Sequence, residues 1–163
     1  MDRAEVVTNL KKQKQPIVFI LIALATAAAL FFFSSQDRTE TNKLSGSIAK
    51  QILTLIEVEP SGATLQTFHW VIRKSAHFFL FSLLGSGIMG IVCFYRKKRP
   101  FLLALPIGVL LAMADEFHQL YATGRFAAVR DVVLDGAGVL FGCALTYAFL
   151  CKKSRRDRKD KQP

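Results

Sequence analysis

Residues 100–119 read PFLLALPIGVLLAMADEFHQ, and this stretch decides the class of fold. It is uncharged as far as Ala114 and then carries Asp115, Glu116 and His118, before a membrane span of about 20 residues would be complete. An ionisable side chain inside a membrane usually faces a partner or a wet cavity, because its insertion costs about 2.5 to 3.5 kcal/mol. The stretch therefore predicts a membrane helix with a polar end turned towards protein.

The composition of the whole chain agrees with a membrane protein. Of its 163 residues 52% are hydrophobic, and the charged residues form short blocks between long uncharged runs. A soluble domain usually has about 45 to 50% apolar residues, dispersed along the chain. We predict one domain, 1–163, with a first helix that begins at Pro16. Its four spans are predicted at about 17–34, 75–95, 100–120 and 130–150.

The distribution of Lys and Arg predicts the orientation. Most of the 22 basic residues lie near the N-terminus, in the turn Arg96–Arg99 and in the basic tail 152–163. Cytoplasmic loops retain such residues, so both termini of this multi-pass cell-membrane protein are predicted to be cytoplasmic. The net charge of +10 is then explained by topology, and no nucleic-acid partner is expected.

A further helix is predicted between the first two spans. Apolar residues recur there at helical spacing, namely Leu44, Ile48, Ile52, Leu55 and Ile56. Polar residues surround them on the helical wheel, which is typical of an amphipathic helix on a membrane surface. The predicted fold class is all-α: an integral membrane four-helix bundle with an extracytoplasmic amphipathic helix.

Polar side chains of several spans are predicted to converge at the outer end of the bundle. Each group occupies one arc of its helix, and the predicted orientation places all of them at the same depth. The candidate ligand-binding residues are Ser35, Gln36, Arg73, Lys74, His77, Asp115, Glu116, His118, Gln119, Arg125, Asp131 and Asp135. Their spacing matches no strict metal motif such as His-Glu-x-x-His, so no metal ligand is predicted and the cofactor stays unknown.

Structural roles for some of these residues stay open. Lys74 can simply reach the membrane interface, Asp131 can pair with Arg125, and His118 can be an interfacial residue. Ser34 and Ser35 are interpreted as polar residues at a helix end rather than as nucleophiles. Gly138 and Gly142 continue the stripe of Asp131 and Asp135, and small residues at this spacing predict close helix packing.

Several of these motifs together resemble the VanZ-like family of bacterial membrane proteins, over roughly Phe33 to Leu150. The matching residues are Ser34-Ser35-Gln36, Lys74-Ser75-Ala76-His77-Phe78, Asp115-Glu116-Phe117-His118-Gln119, Gly124-Arg125, Asp131 and Gly138. Thr123 and Asp135 depart from the family pattern, in which proline and asparagine are common. The resemblance implies a four-span protein of bacteria, chiefly Gram-positive, and a link to low-level resistance to the glycopeptide teicoplanin. It implies no particular reaction.

Three functions remain open at this point. The first is a cell-envelope protein that binds an amphipathic ligand, either lipid-linked cell-wall material or a lipoglycopeptide. The second is an intramembrane enzyme that acts on a lipid phosphate or an acyl chain, because the His, Asp and Glu residues suit a divalent cation or acid-base catalysis. The third is a small transporter, which four helices would form only as a dimer. Homo-oligomerisation stays open.

Overall fold

The structure is a computed structural model that describes residues 3–36, 38–55, 61–95, 99–122 and 128–159. Side chains are described between residues 16 and 150 of these ranges, apart from 38, 40, 41 and 44. Within the described ranges the chain forms five helices and no strand: α1 (Arg3–Ser35), α2 (Arg38–Leu55), α3 (Gly62–Tyr95), α4 (Phe101–Gln119) and α5 (Val129–Lys159). The predicted all-α class is confirmed.

Four of these helices are long and apolar enough to cross a membrane. The segments are Pro16–Ser35, Gly62–Tyr95, Phe101–Gln119 and Val129–Leu150. Many of their apolar side chains are exposed on the outside of the bundle, among them Leu24, Leu110 and Phe149. Lipid can solvate such side chains as well as other apolar residues do, so their exposure fits a bilayer. The predicted number of four membrane-spanning helices is confirmed, and the protein is a multi-pass membrane protein.

Two helix starts differ from the predictions. α1 extends back to Arg3, so the prediction that Pro16 opens it is wrong; several residues before Pro16 are good helix formers. α3 begins at Gly62 rather than near Ser75. The hydroxyl of Ser61 accepts a hydrogen bond from the Thr64 N–H over 3.2 Å, which is the contact of a helix N-cap. The polar residues that follow therefore belong to the helix.

The predicted helix between the first two spans is present as α2, which packs against α3. Its buried side consists of small residues and one leucine: Ser45, Gly46, Ala49 and Leu53. Ile48, Ile52 and Leu55 of the predicted apolar stripe remain exposed. The small residues bring α2 close to α3, and the exposed stripe lies beside this contact, available to lipid.

α3 is the central helix of the bundle and contacts all four of the others. Its buried side chains form the core with residues from α1, α4 and α5; the core consists of Leu30, Phe81, Leu84, Ile88, Met89, Val92, Ala104, Ala112, Val139 and Cys143. This core fixes the rotation of α3 about its axis. The polar side chains near one end of α3 are thereby aimed at its neighbours.

The contact between α3 and α5 is close enough to involve the backbones. Ser86 Oγ donates a hydrogen bond of 3.2 Å to the carbonyl oxygen of Gly142, and Cys143 Sγ donates to that of Gly85 over 3.3 Å. A Cβ atom on Gly142 would overlap the carbonyl oxygen of Ser82. Only glycine permits this approach. The close contact holds α5 against α3, including the end of α3 that carries the polar side chains.

Candidate functional site

Two polar pairs join α3 to α5 at one end of the bundle. Lys74 forms an ion pair with Asp131, and both side chains are mostly buried. About one helical turn further in, His77 Nδ1 lies 3.8 Å from Asp135 Oδ2. Residues three or four apart lie on the same helix face, so the spacing of the two residues on each helix puts both pairs in one row. Lys74 is thus an internal ion-pair partner.

Asp115 of α4 connects this row to α1. Ser34 Oγ donates a hydrogen bond of 2.6 Å to Asp115 Oδ1, and Gln119 Nε2 donates one of 2.7 Å to Oδ2. Each carboxylate oxygen has two lone pairs, so each keeps one for another partner. The two donors hold the carboxylate in a fixed orientation.

Ser34 is the residue that sequence reasoning left out of the candidate site. It is fully buried, and it continues a buried face of α1 formed by Thr26 and Leu30 at intervals of four residues. A hydroxyl at the end of a buried helix face needs a hydrogen-bond partner inside the protein. The spacing of Thr26, Leu30 and Ser34 could have identified Ser34 as a buried polar residue of the site.

Three titratable side chains from three different helices meet in this region, which we call the three-helix cluster: His77 of α3, Asp115 of α4 and Asp135 of α5. Each offers one ligand atom, and these atoms lie within 4.8 Å of one another. Asp135 is 1% exposed, and its Oδ2 has no hydrogen-bond partner among the described residues. Imidazole nitrogen and carboxylate oxygen are both metal-ligand atoms.

Glu116 and His118 have separate positions near the cluster. The buried Glu116 accepts a hydrogen bond of 2.9 Å from the Ala128 N–H, which ties the end of α4 to the start of α5. His118 stacks on Phe31 with ring centroids 4.6 Å apart, and its Nε2 lies 3.1 Å from Ser35 Oγ. His118 is therefore packed against α1.

An apolar groove runs from the polar end between α1, α3 and α4. Its volume is about 290 Å³, and its lining consists of Ala27, Leu30, Phe31, Phe81, Leu84, Leu111, Ala114, Asp115 and His118. Only Asp115 and His118 in this lining are polar or titratable. The groove is thus apolar along its walls, with a carboxylate and an imidazole among its lining residues.

The remaining predicted residues lie outside the cluster. Arg73 lines a second cavity of about 130 Å³, together with Asn42, Gln66, His69 and Trp70, on the side of α3 that faces α2. Gln36 directly follows the end of α1 and is half-buried. Arg125 lies outside the described residues, so its predicted pairing with Asp131 has no structural counterpart to compare.

Gly138 and Gly142 both lie against α3. A Cβ atom on Gly138 would come within 2.6 Å of the carbonyl oxygen of Phe78. Real Cβ atoms essentially never approach another atom this closely. The glycine stripe therefore faces α3, on the same side of α5 as Asp135.

Fold and site together define a class: a small four-span helical membrane protein with a buried polar cluster at one end of the bundle. A family model described as VanZ/LLP1 matches residues 19–150. The chain therefore belongs to the VanZ-like family, and the resemblance drawn from its motifs is confirmed. No curated protein and no solved structure matches the chain.

Proposed function

We propose that this protein binds an amphipathic or lipid-linked ligand of the cell envelope, with the ligand's hydrocarbon chain in the apolar groove and its head group at the polar end. The groove is the observation that carries this proposal, because its walls are apolar and Asp115 and His118 are among its lining residues. Small-molecule sites typically combine apolar walls with a few converging polar groups. A ligand without a hydrocarbon chain would have no apolar surface to match these walls.

The size of the groove favours a chain segment over a whole molecule. Its volume of about 290 Å³ is at the lower end of the range of about 300 to 1,000 Å³ that is usual for ligand sites. One part of a single acyl or polyprenyl chain fits such a space. The rest of the ligand would stay in the surrounding bilayer.

The charged residues predicted for the site suit two kinds of head-group contact. Carboxylates such as Asp115 suit a cationic group of a lipoglycopeptide, whereas the predicted site residue Arg125 suits a phosphate of lipid-linked cell-wall material. Lipid-linked cell-wall material is part of the cell envelope, and a lipoglycopeptide would meet the protein there. Together with the family resemblance, this supports a link to teicoplanin-type glycopeptide resistance in Gram-positive bacteria.

We also propose that the polar end faces outwards and that both termini are cytoplasmic, because Lys and Arg are concentrated at the opposite end of the predicted topology. A cysteine introduced at Ser61 should react with an impermeant maleimide in intact cells that lack the native cysteines. A cysteine at Ser154 should react only after the cells are opened. The reverse pattern of labelling would contradict the orientation.

Filling the groove should remove the ligand. Ala27 lines the groove and is exposed, so Ala27→Trp places a large side chain in the ligand's space without entering the core. A steric penalty of about 1.4 kcal/mol or more would lower the affinity for the hydrocarbon chain at least about tenfold. Native mass spectrometry of the purified protein should show the co-purifying lipid in wild type and at least tenfold less in this variant.

Ala28 provides a matched control for this experiment. It is an exposed alanine of the same helix but does not line the groove, so Ala28→Trp should retain the lipid. Cells that carry Ala27→Trp should also lose any reduction in teicoplanin sensitivity that wild type confers. Equal lipid retention by both variants would contradict the proposal.

An intramembrane enzyme for lipid phosphates is the second candidate function. The three-helix cluster favours it, because an imidazole and two carboxylates meet beside the groove. Turnover of a polyprenyl phosphate by the purified protein, lost in His77→Ala, would support catalysis. Retention of the intact lipid without turnover would support the binding protein.

A further inference from the structure

We propose that His77, Asp115 and Asp135 form a binding site for one divalent transition-metal cation of the zinc or manganese type. The site has one ligand from each of α3, α4 and α5, with the three ligand atoms within 4.8 Å of one another. It requires no lipid in the groove, so it does not rest on the proposed function.

The donor set selects the class of cation. One imidazole nitrogen and two carboxylate oxygens suit zinc, manganese or iron(II). Calcium normally takes six to eight oxygen ligands, and magnesium keeps most of its waters. A zinc site with three protein ligands leaves a fourth position open for water or a ligand head group. Three ligands from three helices match that arrangement.

The distances require only a small closure. Zinc bonds to nitrogen and oxygen are about 2.0 to 2.2 Å long, which places tetrahedral ligand atoms about 3.3 to 3.6 Å apart. The observed ligand atoms all fall within 4.8 Å. The ligand atoms would therefore have to approach one another by about 1 Å to bind zinc.

A buried, unpartnered oxygen of Asp135 supports the metal site independently of the ligand distances. Asp135 is 1% exposed, and its Oδ2 has no hydrogen-bond partner among the described residues. His77 Nδ1 lies 3.8 Å from this oxygen, beyond hydrogen-bond distance. A buried carboxylate oxygen in this state costs free energy unless another group satisfies it. A cation between His77, Asp115 and Asp135 would satisfy it.

The surroundings of Asp115 support a ligand role. Ser34 and Gln119 donate to its two oxygens and fix its orientation. Hydrogen bonds of this kind hold metal-ligating carboxylates in place, and their loss typically costs 10 to 100-fold in metal affinity. Lys74 forms its ion pair with Asp131, which is not one of the three proposed ligands.

The test uses the full-length protein in detergent, stripped of metals with a chelator and titrated with Zn²⁺ by calorimetry. Wild type should bind one Zn²⁺ per chain. Asp135→Asn and His77→Gln should each lower the affinity more than tenfold, and Ser34→Ala should lower it about tenfold. The matched control is His69→Gln, which removes another histidine of α3 and should leave the affinity unchanged. Ala27→Trp should also retain Zn²⁺, which separates this site from the lipid proposal.

A second readout keeps the test decisive if a variant does not fold. Mn²⁺ bound to wild type should show nitrogen coupling from the imidazole of His77 in pulsed electron paramagnetic resonance, and circular dichroism should check the helicity of each variant. The proposal is overturned if folded wild type binds no Zn²⁺ saturably, or if bound Mn²⁺ shows no nitrogen coupling. Equal Zn²⁺ affinity in folded Asp135→Asn, His77→Gln and His69→Gln would overturn it as well.

Discussion

Replacing Gly142 by leucine is expected to remove most of the folded protein from the membrane. A Cβ atom at this position would overlap the carbonyl oxygen of Ser82, so the backbones of α3 and α5 would have to separate. Overpacking of a core typically costs about 1 to 3 kcal/mol and occasionally more, and this overlap is severe, so we expect about 3 kcal/mol or more. Fluorescence-detected size-exclusion chromatography and thermal melting in detergent measure this loss.

Gly136 supplies the control on the same helix. A Cβ atom there would lie 3.8 Å from Val109 Cγ2, which is ordinary van der Waals contact, so Gly136→Ala should be as abundant and stable as wild type. Gly138→Leu should behave like Gly142→Leu because of its close approach to Phe78. If Gly142→Leu melted at the same temperature as Gly136→Ala, the close packing of α3 on α5 would be wrong.

Lys74→Met is expected to lower the free energy of unfolding by about 3 kcal/mol, because it leaves Asp131 without its cation in a mostly buried position. Removing both charges, in Lys74→Met with Asp131→Leu, should restore most of that stability. The two substitutions should therefore not be additive, because Lys74→Met alone leaves the charge of Asp131 unpaired, whereas the double variant leaves no charge behind. Unfolding in mixed micelles, followed by circular dichroism, gives the free energy of unfolding of wild type, of each single variant and of the double variant. These four values complete a double-mutant cycle.

Arg130 is a suitable control for this cycle. Its Nε lies 3.8 Å from Asp131 Oδ1, but its side chain is 76% exposed. Exposed ion pairs contribute little, so Arg130→Met should change the unfolding free energy by less than about 1 kcal/mol. A loss in Lys74→Met no greater than in Arg130→Met would show that Lys74 is only an interfacial residue.

The spans could be predicted from the sequence because length and hydropathy alone define a membrane helix. The grouping of Lys74 with His77, and of Asp131 with Asp135, could also be predicted, because residues three or four apart share a helix face. The start of α3 was missed since its cap, Ser61, precedes a polar segment that hydropathy treats as a loop.

The partners of these residues could not be predicted, because they depend on how far each helix is rotated about its axis. Arg73 is next to Lys74 in the sequence, yet successive residues point about 100° apart, and Arg73 lines the cavity towards α2. His77, Asp115 and Asp135 come from three helices, so no local spacing connects them. The groove is a gap between packed helices and has no sequence signature at all.

The most direct test of the central claim, that the groove holds a hydrocarbon chain, is photolabelling with a polyprenyl phosphate that carries a diazirine in its chain. After irradiation in membranes, mass spectrometry of peptides should place the label on Ala27, Leu84 and Leu111, which line the groove. Leu110 is the internal control, because it neighbours Leu111 and is exposed but lies outside the groove. Label confined to Leu111 and the other groove residues is the result we predict. Equal labelling of Leu110 and Leu111 would show that the chain only surrounds the protein as bulk lipid, and it would contradict the account.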